Sequence, residues 1–266
     1  MKEFIKRTIT AIFLIVPAYF LIKYLPDLYF GIILGLIIFG AIYELRKLVE
    51  AELIDYVMLI IIEGIMFLSI VLRLIKFDEA IFVILISSSV YMLLRIKTKE
   101  RLNDFVRNFS FVFLVSIYLI FSLFFMYKLK VENPNYLFFL IFVIAVGDSG
   151  AYFIGSWIGK HKIYPVASPN KSLEGLIAAI ITAGLSGWLS IVIFPVNINP
   201  QMAILTGAIV GLFSQISDPV ESLFKRAAGK KDSGNILPGH GGFLDRLDSY
   251  IICAPLLFYI IKYIWF

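Results

Sequence analysis

The sequence has one cysteine, Cys253, so it can form neither a disulfide within the chain nor a zinc site built on cysteine. Cys253 reads as a small buried hydrophobe in the last apolar run. Charge is also scarce. Asp, Glu, Lys and Arg make up 16% of the 266 residues, against about 25% in ordinary soluble domains, too few to cover a surface in water. The chain also lacks internal repeats, low-complexity tracts and a disordered linker. What fills it is apolar: 60% of residues are hydrophobic, 16% are aromatic and the mean hydropathy is +0.91. Such a chain belongs in a bilayer. Its net charge of +5 is modest and the basic residues do not cluster suitably for nucleic acid, so no nucleic-acid partner is expected.

Nine apolar stretches are long enough to cross about 30 Å of hydrocarbon. They cover roughly residues 8–22, 28–44, 54–72, 80–95, 109–127, 137–158, 173–196, 201–219 and 249–266. The first follows Lys2, Lys6 and Arg7, but no small-residue cleavage site follows Pro17, so it is read as a retained span rather than a secretory signal. With the N-terminus in the cytoplasm, 18 Lys and Arg fall on the cytoplasmic side and 6 on the other. The positive-inside rule therefore favours that orientation and supports the count of nine. The expected fold is an all-α, polytopic integral membrane protein of about nine transmembrane helices with a cytoplasmic N-terminus.

The two halves differ in chemistry. Residues 1–135 hold five spans, a scaffold or dimerisation region, with Glu44 near a cytoplasmic helix end and Glu63 inside the third span. Glu63 lies among Ile60, Ile61, Ile62 and Met66, where an ionised carboxylate is costly, so a protonated or interhelically hydrogen-bonded group is expected. Residues 136–266 hold four spans and a cytoplasmic loop over 220–248, and carry nearly all the unusual polar residues.

The first of these is Asp148, in the apolar sixth span with Tyr152 one turn away on the same face. An acid at that depth marks function by default, although helix–helix adhesion is the plainer alternative. Gly147, Gly150, Gly155 and Gly159 would let another helix approach closely. The loop from Ser168 to Gly175 then brings Lys171, Ser168 and Ser172 to the start of the seventh span, where a helix N-terminus collects anions. Ser172 also suits an N-cap.

The densest cluster runs from Ser217 to Asp248. It holds Asp218, Glu221, Ser222, Lys225, Arg226, Lys231 and Asp232, then Pro238, Gly239, His240, Gly241 and Gly242, then Asp245, Arg246 and Asp248. Asp245 and Asp248 are three apart and share a face if they open the last helix, with Cβ atoms about 5–6 Å apart. Paired carboxylates at that spacing repel unless a proton or cation intervenes. A hard divalent ion such as Mg2+, held by one or two carboxylates, phosphates and water, suits this pair together with Asp218. The glycines from Gly239 to Gly242 leave backbone amides free to approach phosphate oxygens. Lys225, Arg226, Lys231 and Arg246 can neutralise further phosphate charge. A lipid-contacting basic loop would account for Lys225 to Lys231, but not for three acids and a Gly-rich turn beside a histidine.

The run Ser222-x-x-Lys225-Arg226-x4-Lys231-Asp232-x5-Pro238-Gly239-His240-Gly241-Gly242-x2-Asp245-Arg246-x-Asp248 resembles the signature of phosphatidate cytidylyltransferases, also called CDP-diacylglycerol synthases. It departs from that pattern nowhere. Asp148 to Tyr152 and Ser168 to Gly175 also resemble the family, so the likeness covers roughly residues 145–250. The resemblance implies a dimeric, all-helical membrane enzyme whose polar cavity opens to the cytoplasm and sideways to lipid. Its reaction would join CTP to phosphatidic acid, giving CDP-diacylglycerol and pyrophosphate with Mg2+. A second, monovalent cation such as K+ is part of that implication. By the same resemblance Asp218, Asp245 and Asp248 are the metal-binding acids, and Asp148, a further polar member of the cavity, is expected to join them at the metal.

The phosphate monoester of the lipid is already largely the dianion near neutral pH, so the reaction requires no strong base. His240 is therefore expected to orient phosphate rather than abstract a proton. The expected catalytic residues are Asp218, Asp245, Asp248, Lys225, Arg226 and His240. Substrate binding is expected of Lys171, Ser172, Ser222, Lys231, Asp232, Gly241, Gly242, Arg246, Asp148 and Tyr152. The site is expected on the cytoplasmic face of the cell membrane. The alternatives are a CTP-dependent kinase acting on a polyprenol or similar lipid alcohol, and a cation-coupled transporter. The transporter is disfavoured because the first half has no counterpart of Asp148 or of the Gly-rich segment.

Overall fold

A computed structural model describes residues 17–97, 102, 105–234, 236 and 241–265. Among these, eight helices are long and apolar enough to cross a membrane. They are α1 (Asp27–Val49), α2 (Leu53–Val71), α3 (Phe77–Arg95), α4 (Phe105–Glu132), α5 (Pro134–Ile158), α6 (Leu173–Ile193), α7 (Pro200–Ala227) and α8 (Leu244–Trp265). The fold is that of an all-helical, polytopic membrane protein. The eight match the second to ninth expected spans. Of the first, residues 17–22 lie in a described helical stretch and the rest falls outside the described residues.

Helix boundaries follow local chemistry. Asn133, Ser172 and Asn199 are N-caps, their side-chain oxygens accepting hydrogen bonds from Asn135 N, Gly175 N and Met202 N. Pro134 and Pro200 occupy the first helical positions of α5 and α7, where a missing N–H costs nothing. Ser172 thus caps α6, as its position suggested. In α1, Asp27 sits in the first turn and Arg46 and Lys47 in the last, each complementing the helix dipole.

The loop expected over 220–248 is shorter at both ends, because α7 continues to Ala227 and α8 begins at Leu244. Pro219 does not stop α7. It deprives the Gln215 carbonyl of its usual donor, and the turns beyond it bury Glu221, Ser222 and Lys225 against the protein.

The described chain divides into two compact units. Residues 1–127 with 232–245 form one, and residues 128–231 with 246–266 the other. In the first unit, α1 packs on α2 and α2 on α3. The middle of α4 is wound as a π-helix over Leu114–Phe121. From it the Ser116 hydroxyl reaches Glu63 Oε1 at 2.6 Å, so the buried acid of α2 is hydrogen-bonded between helices.

In the second unit, α6 packs against both α5 and α7 through small residues. A Cβ on Gly147 would lie 3.2 Å from Ala183 Cβ, and one on Gly211 would lie 3.0 Å from the Ala179 carbonyl. Small side chains thus let three backbones approach one another without hydrophobic driving force in lipid. Cys253 is buried in this unit, with Sγ 3.5 Å from the Val210 carbonyl.

Candidate active site

One face of α7 carries the site. Gln215, Asp218, Glu221, Ser222 and Lys225 recur at helical spacing, and the first two line a cavity of about 570 Å3 within the second unit. Pockets for small ligands run to about 300–1,000 Å3. The other walls come from α5, the start of α6 and the loop joining them, with Asp148, Tyr152, Lys162, Lys171 and Ser172 among the lining residues. Gly155 and Gly175 keep one wall thin, for a Cβ on Gly155 would lie 3.4 Å from Gly175 Cα.

The loop is held in shape by short-range bonds. Lys162 and Ser172 pair as an antiparallel bridge, and the His161 carbonyl accepts the N–H of Leu173 at 2.8 Å. Glu174, in the first turn of α6, accepts the N–H of Lys160 at 3.2 Å, and its Oε1 lies 2.6 Å from His161 Nδ1. The carboxylate also complements the dipole of α6. The loop thereby directs Lys171 onto α7.

Lys171 Nζ lies 2.8 Å from Asp218 Oδ2 and donates to Gln215 Oε1 at 3.0 Å. Gln215 Nε2 in turn donates to Asp148 Oδ1 at 2.6 Å. Two acids from different helices are therefore joined through one amide and one ammonium. Gln215 was not singled out in the sequence. Its signal was there, as an uncharged polar side chain one turn before Asp218 in an apolar helix, but its partners lie 67 and 44 residues away in the chain. Lys162 and Asn170 also line the cavity, and Lys162 Nζ donates to the Asn170 carbonyl at 3.2 Å.

Further along α7, the Ser222 hydroxyl donates to Asp218 Oδ1 at 3.4 Å, and Lys225 Nζ lies 2.5 Å from Glu221 Oε2. The Ser217 hydroxyl donates to the Asp248 carbonyl, fixing the start of α8 to α7 within this unit. Arg226 donates to backbone carbonyls, those of Ala167 at 3.4 Å and Lys230 at 3.2 Å, and so ties the end of α7 to the loop between α5 and α6 and to the turn that follows α7. Lys231, Asp232 and Arg246 are exposed, and so is Tyr152, although it lines the cavity.

Asp245, Gly241 and Gly242 belong to the first unit. Asp245 accepts from Ser233 N at 3.0 Å and Gly242 N at 2.8 Å, and its Oδ2 lies 2.9 Å from Ser233 Oγ. Gly241 has φ +79, a conformation natural to glycine. Gly242 is where the backbone passes too close to two side chains to admit a Cβ. His240, with Pro238 and Gly239, lies outside the described residues. Among the described residues, no group of three or more His, Cys, Asp or Glu is arranged to hold a metal ion.

A cavity of this size with acids and lysines in alternation suits a polyanion accompanied by a cation. The phosphate would compete for Lys171 and the cation for Asp218. Sequence comparison bears on whose chemistry this is. The model of the cytidylyltransferase family matches residues 5–264. A phosphatidate cytidylyltransferase of Staphylococcus saprophyticus is 41% identical over 133 residues, 50% of this chain and 51% of that protein. One of Staphylococcus haemolyticus is 42% identical over 131 residues, 49% of this chain and 50% of that protein. The Staphylococcus aureus counterpart (strain COL) is 41% identical over 133 residues, again 50% of this chain and 51% of that protein. The matched stretch therefore spans about half the length of these curated relatives. Because the family match runs over nearly the whole sequence and not only its polar half, the chain belongs to the cytidylyltransferase family.

Proposed function

We propose that the protein joins CTP to phosphatidic acid, giving CDP-diacylglycerol and pyrophosphate at the cytoplasmic face of a cell membrane. The observation that carries this reading is the chain Asp148–Gln215–Lys171–Asp218 along one wall of the cavity. The names of the staphylococcal relatives support the substrates. In the step proposed, an oxygen of the lipid phosphate forms a bond to the α-phosphorus of CTP. The bond from that phosphorus to the α–β bridging oxygen breaks, and pyrophosphate leaves with those electrons. The nucleophile is already anionic, so no side chain need remove a proton.

The donor set fits Mg2+. This ion takes one or two carboxylates and completes its shell with phosphate and water, so Asp218 with Asp148 or Asp248 suffices without a cluster of three protein ligands. Asp245 joins that set on the strength of the sequence signature alone. Bound Mg2+ would supply charge neutralisation on the nucleotide phosphates and on the leaving pyrophosphate. Lys171 and Lys162 line the cavity where phosphate oxygens would lie, and Lys171 can exchange its carboxylate partner for phosphate. Gln215 holds Asp148 and Lys171 at fixed spacing before substrate arrives. Lys225, Arg226, Lys231, Arg246 and His240 are assigned to the phosphates by the signature, and a K+ ion and a homodimeric assembly are part of the same proposal.

The test is incubation of purified protein in detergent with phosphatidic acid, Mg2+ and CTP labelled in the α or the γ phosphate. Transfer of α label to lipid with one pyrophosphate released per lipid supports the reading. In a parallel incubation with a polyprenol in place of phosphatidic acid, transfer of γ label to the alcohol with release of CDP would instead identify a lipid kinase.

A further inference from the structure

Glu44, near the end of α1, is 2% exposed. A carboxylate so enclosed is costly unless donors meet both oxygens. Here they do. Oε1 accepts the N–H of Phe243 at 3.1 Å, and Oε2 accepts the N–H of Leu244 at 2.9 Å and the Ser233 hydroxyl at 2.9 Å. Leu244 is the first residue of α8. Glu44 therefore satisfies N–H groups that the helix itself leaves unpaired, and its charge meets the positive end of the helix dipole. This cap comes from 200 residues earlier in the chain.

The surroundings are built to admit it. A Cβ on Gly234 would fall 2.6 Å from Glu44 Oε1, and one on Gly242 would overlap both Glu44 oxygens. One turn before Glu44, Gly40 leaves room for the Phe243 ring, whose Cδ2 would lie 2.6 Å from a Cβ there. Asp245 hangs on the same anchor. The Ser233 hydroxyl is 2.9 Å from Glu44 Oε2 and 2.9 Å from Asp245 Oδ2, so one side chain spans both acids.

We propose that Glu44 is a positioning residue for the transfer reaction, fixing residues 241–245 and, through them, the carboxylate of Asp245. The N-terminal spans are then part of the machinery that presents the signature segment, beyond any role as a membrane scaffold. The activity half of this inference rests on the transferase reading, because Asp245 enters the reaction only through it.

The test pairs hydrogen–deuterium exchange with kinetics on the full chain in detergent, comparing wild type with Glu44→Gln. Glutamine keeps the shape but brings an N–H2 group among donors and removes the charge. Amides of residues 241–247 should exchange about 10-fold faster while those of α7 keep their rates, and kcat should fall about 10- to 100-fold, the usual cost of losing a supporting partner, with KM for CTP nearly unchanged. Wild-type exchange, wild-type kcat, or faster exchange spread evenly over the chain would each overturn the proposal. If Glu44→Gln does not accumulate, Ser233→Ala, which removes the bridging hydroxyl, should give the same local pattern in weaker form, and unchanged exchange and kcat there would overturn it. A wild-type protein that transfers no CMP would remove the transferase reading, and the exchange arm would then decide the anchor separately.

Discussion

Lys225 Nζ lies 2.5 Å from Glu221 Oε2, one turn back on α7, and both side chains are buried. Such a pair is worth little compared with a well-packed apolar pair, yet removing one buried partner costs far more than replacing both. Replacing Glu221 by Leu alone should destabilise the protein by about 3–5 kcal/mol, whereas Glu221→Leu with Lys225→Met should recover most of that loss. Thermal unfolding of both variants in detergent checks this. Equal losses in the two would show that the ion pair is not what the single change disrupts.

Gln215 offers a second test, because its amide serves Asp148 and Lys171 at once. Gln215→Leu should lower kcat/KM for CTP about 10- to 100-fold. Gln215→Glu should do at least as badly, since it sets a third carboxylate between Asp148 and Asp218. Steady-state kinetics with varied CTP reads both, and wild-type values would mean that the bridge has no part in presenting these groups.

The packing of α6 on α7 yields a prediction independent of the chemistry. A Cβ on Gly207 would overlap the Ala183 carbonyl oxygen and stand 3.1 Å from Gly187 Cα. These contacts are backbone and cannot turn aside. Gly207→Ala should cost about 1–3 kcal/mol, the range for overpacking a close-packed interior, despite the gain in helix propensity. A lowered unfolding temperature is the expected readout.

How much of this was readable beforehand depended on distance along the chain. Of the nine apolar runs, eight are spanning-length helices among the described residues, because twenty or so apolar residues have few other uses, and Ser172 announced its cap because capping is local. Asp148 and Asp218 stood out as acids at membrane depth. The end of α7 did not, since Pro219 signals a helix stop and only burial of the residues beyond it carries the helix on. Gln215 and Glu44 were opaque for a different reason. A glutamine or glutamate in a helix acquires meaning from its partners, and those of Glu44 lie 189 to 200 residues away. The π-helical turn in α4 that offers Ser116 to Glu63 has no sequence marker at all.

Removal of metal should silence the protein reversibly. Chelation with EDTA should abolish CDP-lipid formation and added Mg2+ should restore it, because hard carboxylate and phosphate oxygens favour such an ion. Activity that persists in excess chelator would contradict the assignment of the acids.

The most direct test of the whole account is the Asp218→Asn variant, assayed for transfer of α-labelled CMP to phosphatidic acid at saturating Mg2+. Asp218 faces Lys171, borders the cavity and lies one turn from Gln215, so it is where cation and nucleotide are proposed to meet. The account predicts a fall in kcat of about 100-fold or more, with the variant still folded by thermal unfolding. Wild-type turnover in a folded Asp218→Asn protein would contradict it.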